Sequence, residues 1–209
     1  MDLSGPMQGV IDKSKIQISE NDPSIGPLDA KVQIIDFSDY YCPTCFPIYE
    51  ESIKPILEEF AGRIRFVSRQ VIAIAQESYT AIHAALCAHD QGKYWEMHDL
   101  IMGRIEPFVT MPHNIETYEK LMDLVDEGTI DFFVELAKNV DGIDIDRFAK
   151  CMKSECHKEY IHNVSEEFKS LNLRGVPVTV VNNIYCMGYV STADLRKMIQ
   201  RELDQADGR

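Results

Sequence analysis

Apolar positions along the chain switch between two periods. Val32-Gln33-Ile34-Ile35-Asp36-Phe37 is dense enough for a buried strand, and residues 31–38 are expected to form the first core strand. Phe46, Tyr49, Ile53, Ile56 and Phe60 then recur at three- and four-residue spacing, which predicts a helix over 43–61. Pro55 removes one backbone hydrogen bond from that helix and is expected to kink it on its outer side. Arg63 to Val71 alternates and reads as the next strand. From about Glu77 to Cys156 the pattern is helical, with breaks near Gly92, Pro107 to Asn114, Gly128 and Gly142. A long helix over roughly 153–171 follows, then two strands near 177–182 and 184–189. Ser191 is placed to cap a final helix with Leu195, Met198, Ile199 and Leu203 on one side. Residues 1–25 read as a mixed leader with a short strand near Ile16–Ile18, and Asp22 to Pro27 as a turn. No internal repeat or low-complexity block interrupts the pattern.

Between the first strand and the first helix stands Cys42-Pro43-Thr44-Cys45. This order puts Cys42 at a helix N-terminus and Pro43 at the first helical position, where a missing N–H leaves no bond unmade. The positive end of the helix favours a thiolate over a thiol there. A low-pKa cysteine with a second one three residues on is the apparatus of thiol–disulfide exchange. By itself the tetrapeptide also fits half of a zinc site or a structural disulfide. The strand–turn–helix setting and the proline favour redox chemistry, because zinc knuckles need loop backbone free to wrap the metal.

Arg174-Gly175-Val176-Pro177-Val178-Thr179-Val180-Val181-Asn182 reads as a turn entering a β-branched strand. A proline at the mouth of a strand is where a cis peptide bond is accessible; the plainer reading is the first residue of an edge strand. Together with the cysteine pair it points to an α/β thioredoxin fold. The two motifs and the 132 positions from Cys45 to Pro177 resemble the DsbA-type disulfide oxidoreductases, as does the segment Leu86-Cys87-Ala88 to Met97-His98-Asp99. The resemblance covers roughly residues 26–206.

That resemblance implies a thioredoxin fold with an inserted all-helical domain: leader 1–25, thioredoxin-like domain 26–75 and 157–209, insertion 76–156. It implies that the Pro177 loop faces the cysteine pair, with Val176 and Pro177 holding substrate backbone. It implies that Cys42 is the exposed thiolate and exchanges its disulfide to Cys45 with cysteines of unfolded or reduced proteins. A membrane quinone-linked oxidase of the DsbB or VKOR type would reoxidise the pair. DsbA carries a buried glutamate where Asp36 stands, so Asp36 is expected beneath Cys45 as a proton acceptor with a raised pKa; the alternative is an Asp near a strand end that reaches water or a backbone donor. Some relatives carry a second disulfide in the helical domain, which makes Cys87 and Cys151 the candidates; each is otherwise a small buried hydrophobe. DsbA has Pro-His between its cysteines. Thr44 offers neither a positive charge nor a hydrogen-bonding ring, so Cys42 is expected to have a higher pKa than the about 3.5 of DsbA and to be a weaker oxidant.

Around the pair, Tyr41 is expected at the surface as a substrate contact and Phe46 in the core. Cys151 and Cys156 lie five apart, about 140° around one helix, and are not expected to bridge or share a metal unless the helix breaks between them; His157 makes a weak zinc-like string with them. Cys186 is expected to pack in a late strand. His83, His89, His98, His113 and His162 read as surface or helix-packing residues. No metal and no organic cofactor is assigned. Alternatives within the fold are a reductase or isomerase. Outside redox chemistry they are a zinc-binding or chaperone-like binding protein.

Composition narrows the setting. The 209 residues are 45% hydrophobic, enough for one substantial core or a core with a satellite domain. With 21 basic against 34 acidic residues, the net charge of −13 opposes general nucleic-acid binding, which needs basic surface. Nothing marks a dimerisation segment, so a monomer is expected. The start, Met1-Asp2-Leu3-Ser4-Gly5-Pro6, lacks a basic region followed by an apolar core. Oxidase chemistry nevertheless favours an extracytoplasmic home, periplasm or cell envelope, with cytoplasm as the alternative.

Overall fold

The computed structural model describes residues 7–104 and 129–208. Expected breaks at Pro107 to Asn114 and at Gly128, and His113, lie outside the described residues. Two compact units emerge, one from the described parts of Met1–Ser38, Pro47–Arg69 and Glu166–Arg209, the other from those of Asp39–Phe46 and Gln70–Ser165.

The first unit is built on a six-stranded sheet. Its strands are β1 (Met7–Val10), β2 (Ser24–Ile25), β3 (Val32–Ser38), β4 (Ile64–Gln70), β5 (Val178–Val181) and β6 (Ile184–Met187), in the order β1-β6-β5-β3-β4-β2. Val32, Ile34, Ile35 and Phe37 of β3 are buried, as the dense apolar run requires. β5 pairs antiparallel with β3, setting Thr179 opposite Asp36. The leader expectation is corrected: the segment before residue 26 is part of the sheet. Met7–Val10 pairs with β6 and Ser24–Ile25 with β4, while residues 16–18 form no strand. The reason lies in β4, whose every residue is buried. Arg65 and Arg69 need acceptors there, and the N-terminal segment supplies them: Arg65 donates to the Ser19 carbonyl (2.9 Å), and Arg69 pairs with Asp22 (2.9 Å) and donates to the Gln17 carbonyl. Gly26 closes this segment onto β4 at φ +99°, where a Cβ would fall 2.0 Å from the Ile64 carbonyl oxygen.

The helix expected over 43–61 begins later and is not uniform. α1 (Cys45–Ile48) runs into a π-helical turn, Tyr49–Ile53, and then α2 (Lys54–Glu59). Pro55 cannot donate to the Glu51 carbonyl, and the hydroxyl of Thr192 does so instead at 2.6 Å. Thr192 opens α8 (Thr192–Ala206), where Ser191 Oγ accepts from the Asp194 N–H (3.1 Å) and Leu195, Met198, Ile199 and Leu203 are buried.

The second unit contains α3 (Ser78–His89), α4 (Tyr94–Gly103), α5 (Ile130–Ala137) and α6 (Ile145–Ser154). Gly92 and Gly142, both at positive φ, sit in its breaks. The long helix expected from 153 is divided. α6 ends at Ser154, Glu155 adopts a left-handed conformation (φ 50°), and α7 (Lys158–Ser170) starts afresh. No helix among the described residues is long and apolar enough to cross a membrane.

Candidate active site

The loop carrying the cysteines is fixed from inside by Asp39. Its carboxylate accepts from the Tyr41 N–H (2.9 Å), the Ala73 and Ile74 N–H groups (both 2.8 Å) and the Ser78 hydroxyl (2.8 Å). Its carbonyl accepts from the Cys42 N–H at 3.0 Å. Burial pushes the Asp39 pKa up, and those four hydrogen bonds to its carboxylate oppose the shift. This fastening groups residues 39–46 and 70–75 with the helical unit, although the sequence suggested a boundary at 75/76. The sequence reading missed Asp39. Its signal was an Asp at a strand end, two residues before a backbone donor, the pattern of an Asx-turn.

Cys42 and Cys45 are both reduced thiols. The Cys42 carbonyl accepts from the Cys45 N–H at 3.0 Å, the turn that starts α1; helical structure proper begins at Cys45, with Pro43 in the turn before it. Cys42 Sγ lies 3.1 Å from Thr44 Oγ1. Its pKa is lowered to about 7, chiefly by the hydrogen bond from Cys45 and then by the Thr44 hydroxyl and the Thr44 and Cys45 N–H groups, against the opposing effect of burial. Thr44 thus contributes a hydroxyl hydrogen bond, though neither a charge nor a ring. Three expectations are corrected by burial. Cys42 is not exposed but 4% accessible, and Tyr41 is 5% accessible rather than at the surface, while Phe46 is only half-buried. The Asx-turn at Asp39 draws Tyr41 inward, and Ile48 and Tyr49 take the inner face of the helix start in place of Phe46.

In the sheet unit, the Val176–Pro177 bond is cis. Pro177 is buried and Val176 half-buried, and the Pro177 carbonyl accepts from the Gly188 N–H (2.9 Å). Asp36 is 4% accessible. Burial raises its pKa to about 6, against hydrogen bonds from the Ser38 and Thr179 hydroxyls, the latter at 3.4 Å. Cys186 is buried in β6 and its thiol is pushed up to about 11, an inert state.

Elsewhere in the helical unit a disulfide joins Cys87 to Cys151. The break at Glu155 returns Cys156 to within 3.3 Å of Cys151 Sγ, which spacing on one unbroken helix had excluded. His83 is buried beside them and held down at about 4, first by burial and then by His157.

The model of the thioredoxin family matches residues 18–201. The chain belongs to the thioredoxin family. It is 31% identical over 150 residues to the Na(+)/H(+) antiporter NhaA 1 of Salinispora arenicola, covering 68% of this chain and 22% of the antiporter. The chain therefore spans about a fifth of that protein's length. It is 22% identical over 186 residues to disulfide bond formation protein D of Bacillus subtilis, covering 87% of this chain and 77% of that protein. Its fold is that of the Chlamydia trachomatis DsbA structure, with a TM-score of 0.70, 18% identity and coverage of 95% and 98% of the two chains.

Proposed function

We propose that the chain is a thiol–disulfide oxidoreductase that passes a Cys42–Cys45 disulfide to cysteines of reduced proteins, a DsbA-like oxidase. The observation that carries this is the Cys42 sulfur, hydrogen-bonded to Thr44 and Cys45 at the start of a helical turn and poised near neutrality. A substrate thiolate attacks Cys42 Sγ and Cys45 leaves as thiolate. A second substrate thiolate then attacks the substrate sulfur of the mixed disulfide, and Cys42 leaves, stabilised by the same donors. The substrate emerges oxidised and the pair reduced. A membrane oxidase of DsbB or VKOR type reoxidises it. Val176 and Pro177 hold substrate backbone. An extracytoplasmic location suits this chemistry, and the Cys87–Cys151 disulfide supports it.

A thioredoxin-like reductase is the second reading, favoured by a Cys42 pKa of about 7, the value of thioredoxin rather than DsbA. The reduction potential of the pair, measured in glutathione buffers, separates them. Less thiolate stabilisation than in DsbA means a less oxidising couple, so a value between about −270 and −120 mV is expected, in its upper half for an oxidase. A value at or below about −270 mV rejects the oxidase.

Asp36 is proposed as the proton acceptor during exchange. Its folded pKa of about 6 stands above the unfolded value of about 3.9. The folded chain therefore holds the proton more tightly. Stability is fullest below about pH 4, declines as pH rises to about 6 and is level beyond, a loss on the order of 3 kcal/mol. Asp36→Asn is expected to regain on the order of 2–3 kcal/mol at pH 8 and nothing near pH 3 in urea titrations. It should also remove an inflection near pH 6 from the exchange rate. Unchanged rates across neutral pH would leave Asp36 with no part in proton transfer.

A further inference from the structure

Three sulfurs and an imidazole converge in the helical unit, apart from the residues given a redox role above. His83 and Cys87 lie four residues apart on α3, hence on one face. Cys151 comes from α6, and Cys156 follows the left-handed turn at Glu155. One ligand atom from each of the four lies within 4.8 Å of the others. Cys151 Sγ stands 3.3 Å from Cys156 Sγ, and Cys156 Sγ stands 3.9 Å from His83 Nε2. A tetrahedral zinc ion, with Zn–S of about 2.3 Å and Zn–N of about 2.0–2.1 Å, needs ligand separations of about 3.5–3.8 Å. Both distances already lie near that range. The pair that is far too close is Cys87–Cys151, joined at 2.05 Å, and reduction frees it to open.

We propose that Cys87, Cys151, Cys156 and His83 form a zinc site that fills when the Cys87–Cys151 disulfide is reduced. Disulfide and metal are then two alternative clasps between the same helices. A dithiol reductant supplies two electrons and two protons to the disulfide and becomes a disulfide itself. The three thiols then release three protons as Zn2+ binds, leaving a three-thiolate, one-imidazole complex of net charge −1. Three thiolates and an imidazole are a donor set that suits zinc over calcium or magnesium. His83 and Cys87 are buried and Cys156 is exposed, so the metal has an entry side and a closed floor. The neighbouring His157 is engaged with Asp90 at 3.0 Å and stands outside the four.

The test uses the full chain with Cys42→Ser and Cys45→Ser, so that the other dithiol cannot hold metal. Reduced with a phosphine and loaded with Co2+, it should show the spectrum of a tetrahedral thiolate site, displaced by Zn2+ at one ion per chain. Cys156→Ser and His83→Ala should each weaken zinc binding at least about tenfold, as loss of a ligand demands. The oxidised protein should bind none. If reduction alone loosens the helical unit, circular dichroism should show zinc restoring it. Four results overturn the proposal: no metal in the reduced protein, equal affinity in Cys156→Ser, equal binding by the oxidised protein, or a reduced unit that zinc fails to restore. Mapping of a Cys151–Cys156 disulfide in the oxidised chain, together with no metal after reduction, would instead identify a site of intramolecular thiol exchange.

Discussion

Cys45→Ser is expected to trap the chain on its substrate, and Cys42→Ser to silence it. The two cysteines differ in position. Cys42 precedes the helical turn and receives hydrogen bonds from Thr44 and Cys45, whereas Cys45 is inside the turn and 1% accessible. Cys42 is therefore the sulfur that forms the mixed disulfide, and Cys45 the one that closes or leaves. With Cys45 replaced, the Cys42 thiolate can still attack an oxidised substrate, breaking its disulfide and releasing one of its sulfurs as thiolate. The resulting mixed disulfide has no internal thiol to resolve it, so with oxidised substrate the covalent adduct should accumulate. With Cys42 replaced, disulfide transfer to a reduced protein should fall to the uncatalysed rate. Peptide mapping after alkylation reads both. Adducts centred on Cys156 or Cys87 in the Cys45→Ser protein would move the reaction to the other cluster.

Asp39→Ala should be the most damaging change to stability among the loop's residues. It leaves the Ala73 and Ile74 N–H groups, the Tyr41 N–H and the Ser78 hydroxyl without their acceptor. An orphaned buried donor costs about 1–3 kcal/mol, and neighbouring losses do not simply add. A total on the order of 3–5 kcal/mol is expected from urea unfolding. Asp39→Asn keeps one carbonyl oxygen but turns an NH2 group toward two of the donors, so it should lose about half as much. A cost below about 1 kcal/mol for Asp39→Ala would mean that other contacts hold the loop.

The parts of the fold that were legible are those where one local period dominates. β3, β5 and the final helix are dense or strictly patterned, and Ser191 marks its helix start chemically. The N-terminal strands were not legible, because four and two residues are too few to show alternation and their partners are β6 and β4, distant in sequence. The break at Glu155 carries no Gly or Pro, so the helical pattern ran straight through it. That single left-handed residue hid the approach of Cys156 to Cys151. Tyr41 and Phe46 were exchanged in depth for a similar reason. Which of these two aromatics turns inward depends on the hydrogen bonds of Asp39, and these join residues more than thirty positions apart. The cysteine pair and the cis bond before Pro177 were readable because proline and paired cysteines have few other uses in such settings.

The most direct measurement mixes the oxidised protein with one equivalent of a reduced dithiol peptide, quenches with acid, alkylates and weighs both. The expected result is a peptide lighter by two hydrogens, with alkyl groups newly on Cys42 and Cys45 and the Cys87–Cys151 disulfide intact. A peptide left reduced, or one oxidised while Cys42 and Cys45 stay unalkylated, would contradict a disulfide-donating role for this pair.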